Sequence, residues 1–156
     1  MTMNLKKGSK APVFFGVDDE GNPITLSDHA GKKLVLYFYP KDSTPGCSLE
    51  ANDFRERLKD FEALGASVIG VSRDSVRRHA NFKKKQKINF PLISDENGAI
   101  CNSYGVWQEK QNYGRTYMGI VRTTFLISET GEILEIWPNV RVKGHAERVL
   151  ESLGNL

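Results

Sequence analysis

The sequence predicts an α/β fold: a central mixed β-sheet flanked by helices, with a β-hairpin at its N-terminal end. Two patterns carry that prediction. The runs Leu34-Val35-Leu36-Tyr37-Phe38-Tyr39 and Ala66-Ser67-Val68-Ile69-Gly70-Val71-Ser72 are almost continuously apolar, the pattern of strands buried on both faces. Between them Cys47, Ala51, Phe54, Leu58 and Phe61 recur at alternating spacings of four and three, which puts them on one face of a helix from about Pro45 to Leu64. A strand, a helix and a strand so spaced form a parallel βαβ unit with a right-handed crossover.

The other elements follow from local signals. Phe14 to Leu26 carries Asp18-Asp19-Glu20-Gly21-Asn22 at its middle and reads as the N-terminal hairpin. Pro40 stops the first buried strand, and Gly65 stops the long helix. Ser75 caps a helix to about Lys87. Phe90-Pro91-Leu92-Ile93 is a short apolar element before the turn residues Ser94-Asp95-Glu96-Asn97-Gly98, and a short helix follows from about Ala99 to Tyr104. Thr123 to Ile127 and Ile133 to Trp137 flank Glu129-Thr130-Gly131-Glu132 as a second hairpin, and His145 to Leu153 reads as a closing helix. A parallel βαβ unit followed by an antiparallel hairpin is compatible with a thioredoxin-like fold. Fold alone does not assign function.

Composition narrows the function classes. The 156 residues fit a single domain, 1–156, with 39% hydrophobic and 26% charged residues, ordinary values for a soluble fold. No stretch approaches the roughly 18 apolar residues of a spanning helix, so no membrane role is expected. A net charge of +3 is too small for a dedicated nucleic-acid binder, and the run Lys83, Lys84, Lys85, Lys87 reads as a solvated helix face. Met1 to Lys10 lacks the apolar stretch and small-residue site of a secretory signal. Two cysteines in a chain of this length do not make a disulfide framework, which favours a reducing compartment, the cytoplasm, and a chemical role for a thiol.

Cys47 is the candidate for that role. It falls just after a strand and in the first turn of the predicted helix, where unpaired backbone N–H groups and the positive end of the helix dipole favour an anion. On spacing alone Cys47 also reads as a packed residue, since it continues the apolar face of Ala51 and Phe54. Its neighbours weigh against packing alone. Pro40 ends the strand, Thr44 offers a hydroxyl one turn before the sulfur, and Gly46 lets the backbone approach a ligand. Arg122, just before Thr123 to Ile127, can reach the strand ends with planar, permanently charged donors, although a lone arginine is more often on the surface. Glu50 lies on the side of the helix that carries Cys47, where the helix dipole is a sufficient reason for an exposed first-turn acid. His29, His79 and His145 are not spaced as metal ligands and read as surface or turn residues. Trp107, Tyr113 and Tyr117 border a Gly-containing polar stretch that reads as an entrance or an interface.

The stretch Tyr37-Phe38-Tyr39-Pro40-Lys41-Asp42-Ser43-Thr44-Pro45-Gly46-Cys47-Ser48-Leu49-Glu50 resembles the peroxiredoxins, most closely their bacterioferritin comigratory protein or peroxiredoxin Q group. The resemblance extends over Ser94 to Gly98, Tyr104-Gly105-Val106-Trp107 and Arg122 to Ile127, nearly the whole chain. It implies a thiol-dependent peroxidase for hydrogen peroxide and organic hydroperoxides. In that reading Cys47 is the peroxidatic cysteine and becomes a sulfenic acid, Thr44 bonds the peroxide and holds the thiolate, Pro40 shields the sulfur from water, and Arg122 is the active-site arginine. Glu50 matches an acidic position of the group. No metal or organic cofactor is required.

The sulfenic acid must then be reduced. In one branch of the group a resolving cysteine lies five residues after the peroxidatic one; this chain has Asn52 there. In another it lies on a later helix, near Phe82 to Lys84, where this chain has none. Cys101 is the remaining thiol, and beside Ile100 and Tyr104 it reads more readily as a packed residue than as a resolving one. The expected partners are a hydroperoxide and an external reductant, thioredoxin, glutaredoxin or a low-molecular-weight thiol, with the protein a monomer or weak dimer. Two other classes remain. A thioredoxin-like disulfide reductase needs Cys-x-x-Cys, and Thr44 occupies its first position; a non-enzymatic binding or chaperone module would leave Cys47 dispensable.

Overall fold

The computed structural model describes residues 5–156. Met1 to Asn4, the start of the segment read for a leader, lie outside the described residues. In chain order the elements are β1 (Phe15–Val17), β2 (Pro23–Thr25), β3 (Lys33–Phe38), α1 (Pro45–Ala63), β4 (Ala66–Ser72), α2 (Val76–Gln86), β5 (Leu92–Ser94), α3 (Ala99–Ser103), β6 (Trp107–Asn112), β7 (Arg115–Ile120), β8 (Thr123–Ile127), β9 (Ile133–Trp137) and α4 (His145–Gly154). Seven strands form one sheet in the order β2-β1-β5-β4-β3-β8-β9.

The two apolar runs sit at its centre. β3 and β4 pair in parallel with Val35 opposite Val68, and β8 lies antiparallel to β3 with Phe38 opposite Thr123. Successive side chains of a strand point to opposite faces. Val35, Tyr37 and Tyr39 therefore join one core with Ala51, Phe54, Phe61, Phe82 and Val149, while Leu34, Leu36 and Phe38 join a second with Ile100, Cys101, Tyr104 and Phe125. The sheet separates the two cores.

α1 is fixed to the first of these cores by Phe54, which is fully buried and stacks on Tyr37 with ring centroids 4.7 Å apart. Phe61 and His145 also pack against it, at 5.8 and 6.0 Å. Phe54→Ala is expected to lower unfolding free energy by about 3–5 kcal/mol, because little nearby can collapse into the space. Urea unfolding checks this; a loss below about 1 kcal/mol would show that α1 is held elsewhere.

One element has no counterpart in the sequence reading. Trp107 to Ile120, read as a polar stretch, is a separate two-stranded hairpin, β6 paired with β7. Its turn residues Tyr113 (φ 52°) and Gly114 (φ 76°) both have positive φ, as a two-residue hairpin turn of this twist requires. The strands are mostly exposed and polar, so no apolar alternation marks them.

Candidate active site

Three elements converge at the C-terminal end of β3. The chain leaves that strand through Tyr39 and Pro40, passes Lys41 to Ser43, and enters α1 with Thr44 as N-cap and Pro45 as the first helical residue. Ser43 adopts φ 64°, a left-handed conformation that disfavours side chains and persists only where its surroundings hold it. Ser48 is the first residue to bond back along the helix, to the Thr44 carbonyl at 2.9 Å, so the N–H groups of Gly46 and Cys47 precede the intrahelical ladder. Cys47 is 1% exposed and faces the sheet.

β8 supplies the cation. Because it runs antiparallel to β3, its N-terminal end meets the C-terminal end of β3, and Arg122 stands one residue before it. Nη2 of Arg122 donates to Cys47 Sγ at 3.3 Å and Nη1 donates to Glu50 Oε1 at 2.6 Å. The Arg122 backbone is itself held, its carbonyl accepting from the Val140 N–H at 2.9 Å. A β-carbon on Gly46 would lie 3.4 Å from Nη2, in contact with the guanidinium. One guanidinium therefore bridges a thiol and a carboxylate on the same helical turn.

Glu50 departs from the sequence reading. Instead of an exposed acid satisfied by the helix dipole, it is buried and paired with Arg122, and its Oε2, like the Tyr37 hydroxyl, has no hydrogen-bond partner among the described residues. Burial pushes its carboxyl up to about 7, against the charge and hydrogen bonds of Arg122. An acid whose folded-state value is raised binds its proton more tightly when folded, so stability falls as pH rises from about 4.5 to about 7. The expected loss over that interval is about 3 kcal/mol. Glu50→Gln should remove it, as urea unfolding at about pH 5 and about pH 8 would show. Equal pH dependence in the two proteins would contradict the burial argument.

Pro40 is half-buried at the rim, on clefts walled by the β6–β7 hairpin through Lys110 and Gln108 and by Val121, Arg122 and Asn139. Across the first of these clefts Arg73 lies 4.4 Å from the Trp107 ring centre. Lys110, which the sequence reading did not single out, donates to the Ile120 carbonyl at 2.9 Å; burial and the nearby Arg122 lower its pKa.

Thr44 departs from its expected place, whereas Cys101 is packed in the core, as the residues beside it suggest. The Thr44 hydroxyl donates to the Lys41 carbonyl at 2.9 Å and not to the sulfur, because the loop folds that carbonyl back over the helix start. Cys101 is wholly buried in the second core, on the face of the sheet opposite Cys47, and a direct Cys47–Cys101 disulfide is incompatible with this arrangement. Burial and the Asp95 carboxylate push the Cys101 thiol far up, and both cysteines are free. Two histidines read as surface residues are buried: His145 faces Thr124 Oγ1 at 2.8 Å, its imidazole pushed down to about 4 by burial and by Arg148 and Arg122, and His79 faces Asp42.

Comparison with known proteins identifies the family and the fold. The AhpC/TSA family model matches residues 7–136. The chain is similar to Peroxiredoxin Bcp of Bacillus subtilis, 44% identical over 154 residues that cover 99% of this chain and 98% of the relative. Among solved structures it is similar to Peroxiredoxin Q of Xanthomonas campestris, with TM-score 0.87, 47% identity, and coverage of 91% of this chain and 90% of the other. It is also similar to a mutant of PrxQ from Xylella fastidiosa, with TM-score 0.93, 42% identity and 98% of each chain covered. These likenesses span nearly the whole chain, and the fold they share is the thioredoxin-like one expected from the sequence. The chain belongs to the AhpC/TSA family and is a peroxiredoxin of the Bcp and peroxiredoxin Q group, a thiol-dependent peroxidase.

Proposed function

We propose that Cys47 is the thiol that reacts with the hydroperoxide, and that the protein turns over as a one-cysteine enzyme with an external thiol as reductant. The observation that carries the reading is the bridge from Arg122 to Cys47 Sγ and Glu50. The thiolate is the nucleophile, and a fixed cation donates a hydrogen bond to the sulfur that carries it. In the first step Sγ attacks the terminal peroxide oxygen, an S–O bond forms and the O–O bond breaks. The departing alkoxide or hydroxide takes up a proton as alcohol or water, and the cysteine is left as sulfenic acid. Negative charge moves from sulfur towards oxygen, and Arg122, with the N–H groups of Gly46 and Cys47, is aimed at that region. Pro40 limits water at the sulfur. Thr44 reaches the peroxide by turning its hydroxyl from the Lys41 carbonyl.

In the second step an external thiol attacks the sulfenic sulfur, an S–S bond forms and water leaves; a further thiol then cleaves the mixed disulfide and restores Cys47. Thioredoxin, glutaredoxin and low-molecular-weight thiols all have this chemistry, and we assign the reaction to the cytoplasm because two cysteines in 156 residues do not make the disulfide framework of a small secreted domain. No helix of the described residues is long and apolar enough to cross a membrane. A thioredoxin-like dithiol mechanism is disfavoured by Thr44 at the first position of Thr44-Pro45-Gly46-Cys47 and by the sheet between Cys47 and Cys101.

The test is hydroperoxide consumption with a thiol reductant, comparing wild type with Cys101→Ala. Turnover within about twofold of wild type is expected, since the change is confined to the far core. A folded Cys101→Ala protein that stalls after one equivalent of peroxide would make Cys101 the resolving thiol and overturn the one-cysteine cycle.

A further inference from the structure

The loop between β3 and α1 carries Pro40 and Thr44, and Asp42 ties it down from inside the protein. The Asp42 carboxylate is buried; Oδ1 accepts from the Tyr39 hydroxyl at 2.6 Å, and Oδ2 lies 2.6 Å from Nδ1 of His79, a wholly buried residue of α2. The Asp42 N–H donates to Asp74 Oδ2 at 2.9 Å, an oxygen that also accepts from Ser72 Oγ at 2.6 Å, and Asp74 Oδ1 pairs with Arg78 at 3.2 Å. Asp42, Asp74 and His79 converge within 4.8 Å, but the oxygens and nitrogens concerned all have partners in the protein, so the cluster is a hydrogen-bond network and not a metal site.

The tautomer of His79 follows from its partners. Nε2 faces the Ile93 carbonyl on β5 at 2.8 Å. A carbonyl oxygen only accepts, so Nε2 carries a hydrogen, and in a neutral ring Nδ1 would then be a bare acceptor aimed at a carboxylate oxygen. Two acceptors do not approach to 2.6 Å without a proton between them. The pair therefore holds one proton more than a neutral imidazole and a free carboxylate would.

We propose that Asp42 and His79 are positioning residues of the peroxidase site: the proton they share latches residues 40–44 to α2 and keeps the first turn of α1 in place around Cys47. The inference rests on the reading that Cys47 is the reacting thiol. The left-handed Ser43, next to Asp42, needs such a hold. Because the latch contains a labile proton, it depends on pH. The groups that face His79 are Asp42 and Tyr39 from the loop, Asp74 from the end of β4 with Arg78 upon it, and the Ile93 carbonyl from β5. Burial alone would lower the His79 pKa; the hydrogen bond and charge of Asp42, with Ile93 and Asp74, outweigh it and raise it above 6.5. A raised base is fully protonated below its unfolded value, so the latch is intact below about pH 6.5 and is lost as pH rises through the higher folded-state value.

The experiment measures the second-order rate constant for Cys47 oxidation by hydrogen peroxide across pH, in wild type, His79→Asn, His79→Leu and Tyr39→Phe, with Cys47→Ser as control. His79→Asn keeps an amide N–H where Nδ1–H stood but does not titrate. Wild type should lose rate on the alkaline side. His79→Asn should keep the rate found near neutral pH without that alkaline fall, and His79→Leu should be slower by about tenfold at every pH, the scale of a small misplacement of reacting groups. Should His79→Leu fail to fold, Tyr39→Phe, which removes the second donor to Asp42 without opening a large cavity, should slow the reaction by about threefold. Wild-type rates in His79→Leu or Tyr39→Phe, or an alkaline fall that persists in His79→Asn, would overturn the latch. Peroxide consumption by Cys47→Ser equal to wild type would instead sink the assignment of Cys47.

Discussion

Cys47→Ser should reduce peroxide consumption to the level of the thiol reductant alone, a loss of about 10³-fold or more, with the fold intact. The oxygen of serine is nearly isosteric with sulfur but stays protonated near neutral pH, and a neutral hydroxyl is a far weaker nucleophile than a thiolate. Arg122, the side chain that touches the sulfur, is a permanent cation and takes no proton. Since Cys47 is buried on the core side of α1, unfolding measurements should accompany the assay, and a change of about 1 kcal/mol or less is expected for so small a replacement.

Arg122→Met should lower the rate constant for peroxide reduction by about 10²- to 10³-fold, the usual effect of removing one fixed donor to developing charge. Methionine fills a comparable volume, so the loss reports charge and hydrogen bonds more than packing. The change also leaves Glu50 buried beside no cation. Its carboxyl, already pushed up to about 7, then goes higher and stays protonated, so the variant should be least stable relative to wild type at alkaline pH. Arg122→Lys should recover part of the rate, because one ammonium cannot serve the sulfur and the carboxylate with the fork geometry of a guanidinium. Stopped-flow oxidation at matched pH separates the three proteins. Equal rates for Arg122→Met and wild type would remove Arg122 from the chemistry.

The central fold was legible because its signals are local. Six consecutive apolar residues from Leu34 to Tyr39, too few for a buried helix and stopped by Pro40, read as a strand covered on both faces, and the spacing from Cys47 to Phe61 puts those residues on one face of a helix. The same locality placed Cys47 in the first helical turn and Arg122 at the start of β8. What the sequence did not disclose depends on partners far along the chain. The burial of Glu50 needs Arg122, 72 residues away, and that of His79 needs Asp42, 37 residues away. An acid or a histidine reads as exposed until its partner is known, since burying either unpaired is costly. Cys101 reads as packed from Ile100 and Tyr104 beside it, but separation in sequence does not reveal that an entire sheet lies between it and Cys47. The β6–β7 hairpin escaped because neither of its strands has an apolar face to announce it.

One thiol acts without the other, and trapping the oxidised cysteine distinguishes this from a two-thiol cycle. The protein is treated with one equivalent of hydrogen peroxide in the presence of dimedone, digested, and mapped by mass spectrometry. The expected result is a dimedone adduct on Cys47 with Cys101 recovered as a free thiol, because the first lies beside Arg122 and the second is sealed in the opposite core. A Cys47–Cys101 disulfide, or an adduct on Cys101 with Cys47 unmodified, would contradict it.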